Sequence, residues 1–160
     1  MKIVILSREK IEELAQKAFP PKTAVISITD AEWTYAELKN KPDYLLQLEF
    51  EDVDNDVFYD ELGRLPESAE ERERIARKYY MMFPQDAQNI AKFYLENADD
   101  IEVLICQCEH GQSRSAAVAA AIAEYRTGSG IKIFAHDKYY PNKMVFQMVL
   151  AELKRLGGKR

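Results

Sequence analysis

The amino-acid sequence predicts an α/β fold: a single domain, residues 1–160, with a central, mostly parallel sheet of about four strands flanked by helices. Three observations support this prediction. Short apolar runs rich in β-branched residues alternate along the chain with segments of helical periodicity. No internal repeat, low-complexity stretch or linker divides the chain. Its 160 residues, 47% of them hydrophobic, are enough to bury one core without disulfides or metal ions.

Four segments have the composition of buried strands. They are KIVIL (2–6), TAVISI (23–28), YLLQLEF (44–50) and IEVLICQC (101–108). The third strand runs into an acidic loop, EDVDND (51–56).

The segments between and after these strands show the apolar spacing of helices. Ser7 is placed to cap the first helix, and Pro20 and Pro21 end it. Ser68 opens a polar helix with a Ser-x-x-Glu capping box, and the alanine run after Ser115 predicts a helix packed tightly on the sheet. The predicted helices cover 8–19, a weaker piece ending at Leu38, 68–80, 84–98, 115–125 and 141–156.

The composition disfavours several classes of function. A net charge of -5 argues against a general binder of nucleic acid or anionic membranes, because such partners usually require a basic face. Cys106 and Cys108 stand one residue apart and do not form the disulfide framework of a secreted protein. The N-terminal apolar run is too short for a signal peptide, and no run reaches membrane-spanning length. We therefore expect a cytoplasmic location, with neither a nucleic-acid nor a membrane partner.

The segment CEHGQSRSAAVAAAI (108–122) places polar and small residues where a buried strand ends and a helix begins. Ligands bind at the carboxyl ends of strands in open α/β sheets, and the start of a helix attracts anions. Gly111 permits a tight turn, and the planar guanidinium of Arg114 can hold two oxygens of a phosphate. The positive charge of Arg114 and of the helix start also favours the thiolate of Cys108, which is the nucleophilic form. The segment therefore predicts a phosphate site with a cysteine nucleophile.

Metal and cofactor sites are not predicted. His110 and His136, together with the two cysteines, lack the spacing of zinc ligands. Cys106 lies inside an apolar strand and is predicted to belong to the core.

This Cys-x5-Arg-Ser arrangement resembles the signature loop of cysteine-dependent protein tyrosine phosphatases, and is most similar to the compact dual-specificity type. The resemblance implies a protein tyrosine phosphatase-like fold, in which Cys108 attacks phosphorus and forms a phosphocysteine. It also implies that Ser115 hydrogen-bonds the Cys108 sulfur and eases hydrolysis of the intermediate. Low-molecular-weight phosphatases and arsenate reductases carry a similar loop after their first strand, whereas here it follows the fourth. The implied phosphate-binding residues are the side chain of Arg114 and the backbone amides of Glu109, His110, Gly111, Gln112, Ser113 and Arg114.

The chain departs from the family pattern at Gln107, where the family has a histidine that braces the loop. The family also takes a general acid from an aspartate on a loop after an upstream strand. Asp52, Asp54 and Asp56 are the candidates here, and Asp52 is preferred because it lies two residues beyond Phe50, where the third strand should end. The separation from Cys108 is longer than the family usually shows, which the helix at 68–80 explains as an insertion. The alternative interpretation is a solvated acidic loop.

The residues thus predict a phosphomonoester hydrolase acting on a phosphorylated protein or a small aryl phosphate, with its oligomeric state open. Glu109 and the absence of lysine in the loop disfavour polyanionic substrates such as phosphoinositides and RNA ends, and leave phosphotyrosine and phosphoserine or phosphothreonine both open. One alternative is a phosphate-binding module that has lost turnover through Gln107 or a missing acid. Another is a rhodanese-like sulfurtransferase, which is disfavoured because the rhodanese arginine usually falls one residue sooner.

Overall fold

The computed structural model describes residues 1–158, and that range contains four strands and seven helices. In chain order they are β1 (Lys2–Ser7), α1 (Arg8–Leu14), β2 (Thr23–Thr29), β3 (Tyr44–Glu49), α2 (Asp56–Leu62), α3 (Ala69–Tyr79), α4 (Pro84–Asn97), β4 (Val103–Cys108), α5 (Arg114–Thr127), α6 (Ile131–Phe134) and α7 (Lys143–Gly157).

The four strands form one parallel sheet in the order β1-β4-β2-β3. This confirms the predicted α/β fold, including the four predicted strands. β4 is an interior strand: its Gln107 lies opposite Leu6 of β1 on one side and Ser27 of β2 on the other. Because neighbouring strands run in the same direction, their carboxyl ends meet at one edge of the sheet, and the segment that follows β4 lies within that edge.

The two faces of the sheet are buried by different elements. On one face, α4, α5 and α7 complete the larger core around side chains such as Ile26 and Leu104. On the other face, α1 and part of the segment between β2 and β3 cover a smaller cluster that includes Ile11, Val25 and Ile105. Consecutive residues of one strand thus contribute to different clusters, as the alternation of side chains in a strand requires.

α5 packs closely against the sheet because six of its fourteen residues are alanine. Every residue from Arg114 to Ala123 is buried, so these first ten residues of the helix have no solvent-facing side. Small side chains allow the helix backbone to approach both the strands and α7. Close packing of this helix fixes the position of its first turn, which follows directly from the segment after Cys108.

The helices predicted over 68–80, 84–98, 115–125 and 141–156 are present as α3, α4, α5 and α7. Ser68 caps α3 by accepting a hydrogen bond from the Glu71 amide at 3.1 Å. Ser7 caps α1 in the same way through the Lys10 amide, but α1 ends at Leu14 instead of Phe19. Both the backbone and the side chain of Asn40 donate to the carbonyl of Ala15, which ends the helix.

The predicted helical piece ending at Leu38 is wrong, because residues 30–43 form neither helix nor strand. The guanidinium of Arg8 donates to the carbonyls of Thr34 and Tyr35, at 2.8 and 3.0 Å. These carbonyls accept from a distant side chain instead of from amides four residues later, so no helical turn forms. Side-chain contacts to another element therefore override the local spacing.

Two helices were not predicted. α2 begins at Asp56, the last residue of the predicted acidic loop, and buries Phe58 completely. α6 is a single turn of four residues after α5. None of the helices in residues 1–158 is long and apolar enough to cross a membrane.

Enlarging a buried alanine of α5 should destabilise the fold. Ala119 has no exposed surface, so Ala119→Leu must displace its neighbours and should lower the free energy of unfolding by about 1–3 kcal/mol. Urea denaturation measures this change. Ala151→Leu on the exposed side of α7 is the control and should have little effect; equal losses from the two changes would contradict the proposed tight packing of α5.

Candidate active site

The site is built at the junction between β4 and α5. Cys108 is the last residue of the strand, Arg114 is the first of the helix, and residues 109–113 form the loop between them. The Sγ of Cys108 lies 3.1 Å from the Oγ of Ser115 in the first turn of α5, and both residues are buried. A hydroxyl at this distance can donate a hydrogen bond to a thiolate, which is the contact implied by the resemblance.

Gly111 lets the loop turn tightly against the end of β1. Its φ is +67°, in the left-handed region that favours glycine. A Cβ at this position would lie 2.6 Å from the backbone carbon of Leu6 and 2.6 Å from the nitrogen of Ser7. The loop therefore contacts the β1 backbone directly, and the amide of Arg8 donates to the carbonyl of Glu109 at 3.1 Å.

Three loop carbonyls accept hydrogen bonds from outside the loop. Those of Glu109, Gln112 and Ser113 bind the amides of Arg8, Tyr140 and Asn142, at 3.1, 2.8 and 3.3 Å. In a trans peptide the N–H points opposite to the C=O, so the amides of the residues that follow these three point toward the interior of the loop. Converging amides of this kind form a concave site for an anion. The donors defined in this way are the amides of His110, Ser113 and Arg114.

The guanidinium of Arg114 is buried at the edge of the sheet, with 4% of the residue exposed. Its Nη1 donates to the carbonyl of Phe50 at 2.7 Å and forms an ion pair with Oδ1 of Asp30, at an N···O distance of 2.7 Å. Its Nε is buried and has no hydrogen-bond partner among the described residues. Since an unpaired buried donor of a charged group is costly, Nε is suited to bind an anion in the loop.

Gln107 occupies the position where the similar family has histidine, and both ends of its amide are bonded. Its Oε1 accepts from the hydroxyl of Ser27 at 2.5 Å, and its Nε2 donates to the carbonyl of Cys108 at 3.0 Å. These bonds tie the end of β4 to β2 and brace the residue before the loop. The glutamine therefore provides a bracing contact of its own.

The three candidate acids have different environments. Oδ1 of Asp52 accepts from the hydroxyl of Ser113 at 2.8 Å and from the side-chain amide of Asn142 at 3.0 Å, so this carboxyl lies beside the loop. Asp54 instead accepts from the Lys143 amide at the start of α7, at 3.1 Å. Asp56 lies in the first turn of α2. The hydrogen bond to Ser113 thus brings Asp52 to the loop, whereas all three aspartates line the adjoining cleft of about 350 Å³.

The remaining predicted residues are distributed around the loop. Glu109 is partly buried, with a carboxylate oxygen 3.9 Å from Nη1 of Arg8, whereas His110 and Gln112 are exposed. Cys106 is completely buried in the larger core, and this burial raises the pKa of its thiol. Among residues 1–158, no group of three or more His, Cys, Asp or Glu side chains is arranged to hold a metal ion.

Three residues of the site were missed in the sequence: Asp30, Arg8 and Ser27. Asp30 directly follows β2, as Arg8 follows β1, and both positions are at the carboxyl ends of strands, where functional residues are expected. That signal was available in the sequence. Their actual partners depend on the order of strands in the sheet, which the sequence order does not give.

Comparison with known proteins identifies the fold. No protein-family model matches the chain, and no curated protein matches it in sequence. Among solved structures, the chain is similar to the crystal structure of Tk-PTP in the active form, with 15% identity, 97% of this chain and 92% of that chain covered, and a TM-score of 0.52. It also matches the crystal structure of PTPMT1, with 12% identity, coverage of 98% and 92%, and a TM-score of 0.43. The structure of PTPMT1 in complex with PI(5)P gives 11% identity, coverage of 98% and 93%, and a TM-score of 0.44. The chain has a protein tyrosine phosphatase-like fold.

Adding a methyl group at Gly111 should be more damaging than the same change at Gly63. Both glycines have φ near +70°, but a Cβ at Gly63 would meet nothing within 4 Å, whereas one at Gly111 would meet the backbone of β1. Both changes should incur left-handed strain of about 1–2 kcal/mol, and only Gly111→Ala should add a steric loss to it. Urea denaturation of the two variants checks this, and equal destabilisation would contradict the close contact with β1.

Proposed function

We propose that the protein is a phosphomonoester hydrolase of the tyrosine or dual-specificity phosphatase type, acting through a phosphocysteine on Cys108. The observation that supports it best is the guanidinium of Arg114, which is buried beside the loop with its Nε unpaired. The residue begins α5, so this donor and the loop amides can hold the same oxyanion. A phosphate bound there would lie next to the Sγ of Cys108.

In the first step, the thiolate of Cys108 attacks phosphorus, and the bond between phosphorus and the ester oxygen breaks. The leaving oxygen takes the electron pair of that bond and a proton from Asp52. The loop amides and Arg114 stabilise the charge on the equatorial oxygens as it develops. The products are the dephosphorylated alcohol and the phosphocysteine.

In the second step, water attacks the phosphocysteine and gives its proton to the carboxylate of Asp52. The bond between phosphorus and sulfur breaks, inorganic phosphate leaves, and Cys108 returns to the thiolate. The hydroxyl of Ser115, 3.1 Å from this sulfur, stabilises the departing thiolate by a hydrogen bond. The enzyme is thereby restored without a cofactor.

Asp52 is the proposed general acid because of how its two oxygens are used. Oδ1 accepts hydrogen bonds from both Ser113 and Asn142, which hold the carboxyl beside the loop. Oδ2 is therefore the oxygen proposed to carry the proton. Asp54 is engaged at the start of α7 and does not share this position.

The proposed substrate is a phosphorylated protein or a small aryl phosphate. Residues 109–113 of the loop contain an acidic residue and no lysine, which disfavours substrates with several phosphates. Since the reaction needs a free thiol, and both cysteines of this chain are free, we place the activity in the reducing cytoplasm. The rhodanese-like alternative is not retained, because the fold is that of tyrosine phosphatases.

A second candidate function is a phosphate-binding module without turnover. It is favoured by one observation, Gln107 in place of histidine. The bracing contacts of Gln107 with Ser27 and with the carbonyl of Cys108 argue against a disordered loop, so hydrolysis remains the first proposal.

Cys108→Ser should abolish hydrolysis of p-nitrophenyl phosphate while the protein remains folded and still binds inorganic phosphate, because only the nucleophile is removed. Steady-state absorbance assays and circular dichroism measure the two properties. Cys106→Ala is the matched control and should retain turnover, since that thiol lies in the core. Unchanged turnover in Cys108→Ser would overturn the proposed mechanism.

Asp52→Asn should lower the rate strongly on phosphotyrosine and much less on p-nitrophenyl phosphate. A general acid contributes about 10²–10⁴-fold, and it matters most when the leaving oxygen is a poor leaving group.

Asp54→Asn is the control for this change and should behave nearly as the wild type. If Asp54→Asn shows the dependence on the leaving group instead, Asp54 is the acid and the assignment of Asp52 is wrong. If neither variant shows it and the wild type turns over poorly, the phosphate-binding module becomes the better interpretation.

A further inference from the structure

We propose that the open edge of β1 docks an extended acidic segment of a partner protein, which adds to the sheet as a further strand. β1 stands at the end of the strand order β1-β4-β2-β3, so it pairs with β4 on one side only. A strand edge of this kind presents backbone groups to which another chain can bond. Such docking does not depend on the proposed hydrolysis.

The register of β1 identifies the backbone groups that face outward. The amide of Lys2 donates toward β4, to the carbonyl of Glu102 at 2.8 Å. β1 and β4 then pair residue for residue along the whole of β1. Since successive backbone groups of a strand point to opposite sides, the amides and carbonyls of Ile3 and Ile5 face the open edge. These are the groups that a docked strand can bond.

A cleft lies on each face of β1. Ile3 and Ile5 line one cleft of about 340 Å³, together with Ile133. Val4 and Leu6 line the other, of about 820 Å³. The side chains of an added strand alternate between the two faces of the sheet, so they reach the two clefts in turn. The apolar residues of both clefts favour apolar side chains in the docked segment.

Both clefts are lined by basic residues, although the chain has a net charge of -5. The basic residues that line them are Lys2, Lys10, Lys17, Arg126 and Lys132. Within residues 1–158, Glu13 is the only acidic residue that lines either cleft, and its carboxylate lies 3.6 Å from Nζ of Lys10. This excess of positive charge favours a segment that carries acidic side chains between its apolar ones.

A second copy of this chain fits the edge poorly. Two β1 edges that pair directly would bring their basic residues together, and like charges across an interface cost free energy. Lysines along an edge strand also discourage unselective strand pairing. The occupant that complements both the open edge and its charge is therefore an acidic segment of a different protein.

The test uses a synthetic peptide with capped ends and the sequence Glu-Val-Val-Glu-Glu-Val-Val-Glu, which places both residue types on each face of a strand. Calorimetry should show binding in the micromolar range that weakens as salt is added. Two control peptides should not bind. One has lysine in place of glutamate and loses the complementary charge, and the other is methylated at its backbone amides and cannot donate to the β1 edge.

Variants of the protein locate the binding surface. Lys132→Glu should weaken binding of the peptide about 2- to 10-fold at low salt, because it reverses one charge beside the edge. Lys154→Glu, at an exposed position of α7, is the matched control and should bind as the wild type does. Ile3→Pro should abolish binding, since proline removes an outward amide and is tolerated on an edge strand. Ile3→Ala keeps that amide and should retain part of the affinity.

Three outcomes would overturn the inference. If the wild type does not bind the acidic peptide, the edge is only protected by its lysines. If the methylated peptide binds equally well, the clefts hold an acidic apolar ligand without strand pairing, and this result does not depend on whether Ile3→Pro folds. If size-exclusion chromatography shows a dimer that Lys132→Glu dissociates, the edge of β1 is an interface between two copies of this chain.

Discussion

The burial of one positive charge, the guanidinium of Arg114, organises the carboxyl edge of the sheet. Its Nη1 contacts a carbonyl at the end of β3 and a carboxylate at the end of β2, while its backbone begins the helix that follows β4. Three strand ends are thereby connected by one residue. A charge of this kind is stable in the interior only when it is paired and hydrogen-bonded, so the surrounding polar groups are constrained in position. The positions of the Phe50 carbonyl and of the Asp30 carboxylate meet this requirement.

The parallel sheet makes such a convergence possible. Because β4 lies between β1 and β2, the loop after Cys108 has neighbours on both sides: β1 provides the surface against which Gly111 turns, and β2 provides Ser27, which holds Gln107. The tightly packed α5 fixes the other end of the loop. β3, at the sheet edge, brings the chain to Asp52 beside Ser113. β1, β2, β3 and α5 thus each contribute to holding the segment that forms the proposed phosphate site.

The parts of the structure that depend on local sequence were predictable. β-branched runs identified the four strands, and the spacing from Cys108 to Arg114 identified the loop, because both patterns span only a few residues. The segment ending at Leu38 was misread as helical, since its carbonyls are bonded by Arg8, about 26 residues away in sequence. The pairing of Ser27 with Gln107 and of Asp30 with Arg114 joins residues about 80 positions apart. Such contacts follow from the order of strands in space, which local patterns do not contain.

A crystal of the protein soaked in inorganic phosphate shows whether the loop and Arg114 hold a phosphate over Cys108. We expect a tetrahedral ion next to the Sγ of Cys108, bonded to Nε of Arg114 and to the loop amides, with Nη1 still bonded to the carbonyl of Phe50 and paired with Asp30. If the loop stays empty in crystals soaked at a high phosphate concentration, this expectation is wrong. An ion bound elsewhere, with Nε of Arg114 still unpaired, would contradict it equally.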